Sequence, residues 1–329
     1  MDFRFCKQAS RESLAAAQYD PKKLTVIHSG AALLLSLVVF VLSFLLSSGI
    51  DSTGGLSGIG TRSLLELGQA LLSIVSYICL PFWEIGFFAA AIGFARRESV
   101  NPRTLTTGFS RFGPVLRMYL LQALLYMAVV LACMNIASMI FAMTPFSAPL
   151  MELLLPMMEQ SATVDPTQIT PDMALEILQA AIPMYVIFLI LFLGLCIPIS
   201  YRLRMAPFAI MDDAPRARAA LSASNRMMKG NCFALFRQDL RFWWYYAGLL
   251  LLTVLSVTDV LLALMGVALP VDGTVISFVI YILYLSLSLG YSWLCKAEVQ
   301  TAYAHCYLAM KQTLTPPAPE LPPIPKELP

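Results

Sequence analysis

The sequence predicts an all-α polytopic membrane protein, with about six transmembrane helices and amphipathic cytoplasmic surface helices. Three observations carry this. Hydrophobic residues make up 58% of the 329 positions and charged residues only 13%, against about 25% charged in a soluble chain. Six apolar runs each reach the roughly twenty residues that cross about 30 Å of hydrocarbon. Every Lys and Arg of the 22 except Arg62 falls on one side of those runs.

The runs are Leu24–Ile50, Leu64–Ala95, Val115–Met143, Ile177–Tyr201, Phe242–Leu269 and Thr274–Leu294. They make a six-span membrane domain over residues 1–311, followed by a Pro-rich tail, 312–329. Helices are expected because lipid cannot satisfy open backbone hydrogen bonds. More than twenty polar or mixed residues precede the first run, so it reads as a retained helix rather than a cleaved signal.

Orientation comes from the basic residues. Arg4, Lys7, Arg11, Lys22 and Lys23 precede the first run; Arg96, Arg97, Arg103, Arg111 and Arg117 lie between the second and third. Arg202, Arg204, Arg216, Arg218, Arg226, Lys229, Arg237 and Arg241 lie between the fourth and fifth, and Lys296, Lys311 and Lys326 follow the last. The positive-inside rule then puts both termini in the cytoplasm, and the expected location is the bacterial plasma membrane. The outer loop, 144–176, carries Glu152, Glu159, Asp165, Asp172 and Glu176 with five prolines. A short re-entrant or surface helix is expected around Leu150–Met158.

Two inner loops are more than connectors. Asp212–Arg241 intersperses basic residues with Leu221, Met227, Met228, Phe233, Leu235, Phe236 and Leu240. This suits a basic amphipathic helix, interrupted at Gly230-Asn231, lying at the headgroup boundary. Trp243, Trp244, Tyr245 and Tyr246 follow where an aromatic belt belongs. Arg226, Lys229, Arg237, Arg241, Trp243 and Trp244 are therefore candidate contacts to lipid headgroups or a partner. Ser99–Arg117 repeats the plan more weakly. The tail, with seven prolines from Pro316 to Pro329, samples polyproline II rather than packing a core.

Much chemistry is excluded. Two histidines, His28 and His305, cannot build a multi-histidine metal site, and none of the seven cysteines forms a C-x-x-C pair. The methionines around Met134–Met158 lack the spacing of a copper path and read as packing. No G-x-S-x-G, H-E-x-x-H, Walker or dinucleotide fingerprint occurs. No catalytic residue, metal or cofactor is expected, and a net charge of +2 does not point to nucleic acid.

Glu84 is the candidate intramembrane site, in Leu80-Pro81-Phe82-Trp83-Glu84-Ile85-Gly86. A carboxylate at that depth costs a few kcal/mol, so it must face the bundle interior, be protonated or pair with a polar group. Pro81 frees a backbone carbonyl nearby and Gly86 permits close helix approach. A broken helix beside an acid is how transporters build ion or proton sites. The alternative is a structural acid hydrogen-bonded to Gln122, Asn135 or a backbone group. Gln69, Gln122, Asn135 and Asp259 read as interhelical hydrogen-bonding groups.

The segment from Met205-Ala206-Pro207-Phe208 through Ser224-Asn225-Arg226-Met227-Met228-Lys229-Gly230 to Leu235-Phe236 and Phe242-Trp243-Trp244 resembles an uncharacterised family of bacterial integral membrane proteins, domain of unknown function 975. Its members share an S-x-x-x-M-K-G element, then L-F, then an F-x-x-W entry into a membrane helix. Here Arg241 stands where a small polar residue is usual, and Trp244 comes one place early. Gly86–Phe109 is similar too. The resemblance implies a multi-span membrane protein and supplies no activity.

The expected role is a non-enzymatic membrane protein that organises or assists membrane lipids or a membrane-protein partner. Behind it stand a small-solute transporter or channel centred on Glu84, then an enzyme acting on a lipid or envelope precursor.

Overall fold

The computed structural model describes residues 3–52, 59–153, 171–212, 216–258 and 273–314. Those residues are almost wholly helical, with no strand among them. Five helical segments are long and apolar enough to cross a membrane: Pro21–Ser43, Ser63–Arg96, Phe112–Ala142, Gln179–Asp212 and Phe278–Leu314. The fifth expected run, Phe242–Leu269, is represented by a shorter apolar helix, Trp243–Ser256. Its continuation to Leu269, with Asp259, lies outside the described residues, as does the tail from Thr315. Of the expected outer-loop helix, residues 148–153 are helical and the remainder lies outside the description.

The chain divides into two compact units, Met1–Val115 with Met205–Pro329, and Leu116–Arg204. In the first, α1 (Arg4–Ala15) packs on a triangle made by α2 (Pro21–Ser52), α3 (Ile59–Arg96) and the long last helix α11 (Gly273–Leu314). Each of these three long helices changes character along its length. Leu24, Thr25, His28 and Ser29 of α2 are buried, as are Phe82, Ile85, Phe87, Ala90, Ala91, Ile92 and Phe94 of α3. On α11, Ala297, Val299, Ala302, Tyr303, Ala304, Cys306, Tyr307 and Met310 are buried. Over 30–46, 63–81 and 278–294, by contrast, Leu285 is the one buried side chain among those described. Most of the exposed positions there are Leu, Ile, Val or Phe, Leu34, Leu64 and Val279 among them.

The packed end is built by folding chain back along α3. Arg97 takes φ 60°. The Glu98 amide then reaches Gly93 O at 2.9 Å and the Arg97 amide reaches Phe94 O at 3.0 Å. That pair of bonds is a Schellman closure, with arginine where glycine is usual. Residues 98–110, including a 3₁₀ turn at Pro102–Thr106 and α4 (Thr107–Ser110), run back against α3. The approach needs two glycines. A Cβ on Gly86 would sit 1.8 Å from Leu105 O, and one on Gly108 would sit 2.1 Å from Phe82 O. Phe109 and Phe112 then stack on Phe82, with centroids 5.8 and 4.6 Å away. The return thus ends near Phe82, about 21 Å back from Arg96 at 1.5 Å per residue, where α5 (Phe112–Ala142) begins.

The other packed elements are α7 (Ala206–Asp212), α8 (Ala217–Met228) and α9 (Cys232–Arg241). The expected amphipathic segment is thus two helices, with Gly230 at φ 84° between them. Helix α10 (Trp243–Ser256) follows α9 and packs on α11.

The second unit is an antiparallel pair, the main part of α5 with α6 (Pro171–Leu203). Cys133, Ala137, Phe141 and Ala181 are its buried side chains. Tyr126 Oη donates to Ser200 Oγ at 3.2 Å.

Candidate functional site

Glu84 lies one turn beyond Pro81, where α3 passes from its exposed to its packed part. Lys296 of α11 donates to its carboxylate at 2.7 Å. His28 of α2 completes the group, its Nε2 lying 3.5 Å from the same oxygen. Lys296 Nζ is also 3.4 Å from His28 Nδ1, and His28 Nε2 is 3.2 Å from Trp83 O. One tautomer satisfies all of this. Nε2–H donates to the Trp83 carbonyl, and Nδ1 accepts from the ammonium. Trp83 returns the contact, its indole N–H donating to His28 O at 2.8 Å. The His28 ring stacks on Trp83 at 5.7 Å, and Lys296 lies over Phe87 at 5.2 Å.

The outcome is a charge-balanced cluster, one carboxylate and one ammonium with imidazole between, tying together the three long helices. The histidine and lysine side chains are 2% and 14% exposed, while Glu84 keeps 34%. All four tryptophans gather near this layer. Trp83 adjoins Glu84, and Trp293 sits one turn before Lys296 with Lys22 5.4 Å over its ring. Trp244 is tied to α11 by Tyr291 Oη, which donates to Trp244 O at 2.8 Å and Tyr245 O at 2.9 Å. Trp243 is its neighbour.

Beyond the layer, α11 carries further polar joints. Asp212 of α7, its side chain 3% exposed, is held by Arg96 at 2.5 Å, Lys311 at 2.7 Å and Tyr307 at 3.0 Å. Asp239 of α9 accepts from Tyr303 and from Tyr246, the latter at 3.3 Å. Ser10 Oγ donates to Glu298 O at 2.8 Å, and Arg11 pairs with the Glu298 carboxylate at 2.8 Å. His305 has a serine partner that the sequence reading missed: Ser13 Oγ lies 3.0 Å from its Nε2. Ser13 is 2% exposed, out of reach of a substrate, so the pair is a joint between α1 and α11. Among the described residues no group of three His, Cys, Asp or Glu is placed to hold a metal ion.

The sequence-derived candidates separate as follows. Glu84 and Pro81 belong to the cluster; the described partners of Glu84 are Lys296 and His28. Gln122 and Asn135 belong to the second unit, and Asn135 Nδ2 donates to Leu131 O of its own helix at 2.7 Å. Arg226 and Lys229 are exposed at the end of α8; Arg237, Arg241 and Trp243 line the outer side of α9 and its exit. By its place after an apolar run, Lys296 reads in the sequence as an inner-flank residue. The signal available was its position three residues past Trp293, on a helix with no break between them.

Neither a curated protein nor a solved structure matches the chain. Residues 21–313 match the family described as "Protein of unknown function (DUF975)". With the match covering nearly the whole chain, including α2, α3 and α11, the protein belongs to that family.

Proposed function

We propose that the protein is a non-enzymatic, multi-span protein of the bacterial plasma membrane that organises or assists membrane lipids or a membrane-protein partner. Its basic ends face the cytoplasm. The membrane boundary runs through the Glu84–His28–Lys296 layer. Outside that layer α2, α3 and α11 extend for about 35–38 Å at 1.5 Å per residue, enough to cross a hydrocarbon core of about 30 Å. The same layer carries the tryptophans, as an interfacial belt does.

The observation that carries the reading is the Glu84–Lys296 pair. An acid already neutralised by a lysine, and bridged by histidine to a third helix, reads as a joint that fixes the platform on the inner side. The platform is then the working surface, and a partner or lipid is what it presents itself to. A transport reading keeps one point in its favour, the 34% exposure of the Glu84 side chain three residues after Pro81.

A paired substitution separates the two. In the Glu84→Gln/Lys296→Met variant the joint loses both charges together. The organising reading expects normal folding and an intact cellular phenotype. Loss of phenotype with the fold retained points instead to an ion or proton site. Mass spectrometry of the protein in lipid nanodiscs complements this: a near-stoichiometric protein partner supports the reading, and a lone bundle carrying a small solute counts against it.

A further inference from the structure

Helix α9 has two faces, and only one is accounted for by the fold. Leu235, Gln238 and Asp239 are buried, as is Phe242 at the helix end. Asp239 is fastened to Tyr303 and Tyr246, and Lys7 sits 5.2 Å over the Phe242 ring. These contacts fix the rotation of the helix. The opposite face presents Phe233 at 68%, Phe236 at 42% and Leu240 at 54% exposure, and Trp243 at 66% extends it. At 100° per residue, the first three fall within an arc of about 60°. Arg237 and Arg241 border that arc on one side; Arg237 lies 5.5 Å over the Phe233 ring and Arg241 donates to Gln238 Oε1 at 3.0 Å. Arg226 and Lys229, both exposed, stand just before the Gly230 turn.

We propose that this face of α9 is inserted in the headgroup region of an anionic phospholipid leaflet, its aromatic row among the upper acyl chains and its arginines on the phosphates. Three observations select lipid over other occupants. The exposed row is followed directly by α10, whose sequence from Trp243 is Trp-Trp-Tyr-Tyr-Ala-Gly and then four leucines. Tyr291 holds the start of α10 to α11 within two turns of Lys296, which puts the junction of α9 and α10 near the layer where exposure changes. The border charges are all positive, matching an anionic surface. An amphipathic helix with large apolar side chains on one face and Arg or Lys at its edge binds a leaflet in this way. The inference deepens the lipid part of the proposed function and rests on the membrane boundary given there.

The experiment is site-specific photo-crosslinking of the full chain in nanodiscs of phosphatidylglycerol and phosphatidylcholine. A photo-reactive benzoylphenylalanine replaces Phe233 in one variant and Leu235 in another, and adducts are read by mass spectrometry. Position 233 is expected to capture phospholipid, with phosphatidylglycerol enriched about two- to fivefold over its share in the disc, in line with the attraction of basic residues to an anionic leaflet. Position 235 should capture the chain itself. In Arg237→Gln/Arg241→Gln, checked for an unchanged elution profile, the enrichment at 233 should fall to parity. Cross-links from 233 to a second copy, lipid adducts with no phosphatidylglycerol preference, or no lipid adduct at all each overturn the proposal. None of these outcomes depends on the paired Glu84/Lys296 variant, so the lipid contact and the organising role fail separately.

Discussion

The two ends of α3 obey different rules, although the helix is unbroken from Ile59 to Arg96. Up to Pro81 no described side chain is buried, and Leu64, Leu67, Leu71 and Ile74 stand more than half exposed. From Phe82 onward the helix packs on α2, α11, α7 and its own returning chain. With the boundary proposed above, burying leucine against leucine before Pro81 gains little, because lipid tails are equally apolar. Beyond it water is the alternative, and each apolar side chain removed from it stabilises the fold by about 1.5–3 kcal/mol. The contrast teaches that hydropathy finds the helix but not where along it packing begins.

Backbone contact breaks the comparison most severely. Gly108→Val would drive a side chain into the Phe82 carbonyl, an atom that cannot swing away. The expected cost is above about 4 kcal/mol, seen as loss of the folded peak on size exclusion, and Gly86→Val should behave alike. A matched substitution at Gly30, where a Cβ meets nothing within 4 Å, should cost less than about 1 kcal/mol. Equal costs at Gly108 and Gly30 would remove the case for a return tightly packed on α3.

Deleting side chains tests the same contrast more gently. Phe82 is 1% exposed and stacked on Phe109 and Phe112, so Phe82→Ala should cost about 3–5 kcal/mol. Leu71, 54% exposed, should lose less than about 0.5 kcal/mol on the same change. Denaturation in mixed micelles reads both.

How much of this was legible in sequence follows from the range of each signal. Periods, runs and positive charge are local, so the helices, the basic segments between them and the break at Gly230 could all be read. Glu84 stood out because an acid in an apolar run is anomalous by itself. Lys296 did not, since a lysine just past an apolar run is ordinary until α11 is known to continue to Leu314. His28 in α2 and Lys296 in α11 meet Glu84 only because three helices, far apart in the chain, come together at one level. The exposure change at Pro81 was invisible too, because Phe, Ile and Ala fill lipid-facing and water-excluding positions alike.

The pair at that level gives the next effect. Lys296→Met alone leaves a largely enclosed carboxylate without its lysine, and should cost about 2–3 kcal/mol. That is less than the 3–5 kcal/mol of a fully buried pair, since a third of Glu84 is exposed. Adding Glu84→Gln should restore most of it. The diagnostic quantity is the coupling between the two changes in a double-mutant cycle. Additive losses would mean that the 2.7 Å contact does not carry the joint.

The smallest effect has the opposite sign. Arg97 holds a left-handed conformation, φ 60°, which costs an L-residue about 1 kcal/mol or more, and its side chain is exposed. Arg97→Gly keeps both closing hydrogen bonds and relieves the strain. Part of the gain is lost to glycine's greater freedom in the unfolded chain. The net should be a stabilisation of about 0.5–1 kcal/mol, with Arg97→Asn in between. If the return along α3 is the element that unfolds first, thermal melting should shift upward by a few degrees. Amide exchange should slow at Glu98 and Val100 and stay unchanged from Leu64 to Leu80. A glycine variant that melts earlier would show that the arginine contributes more to the turn than its backbone strain costs.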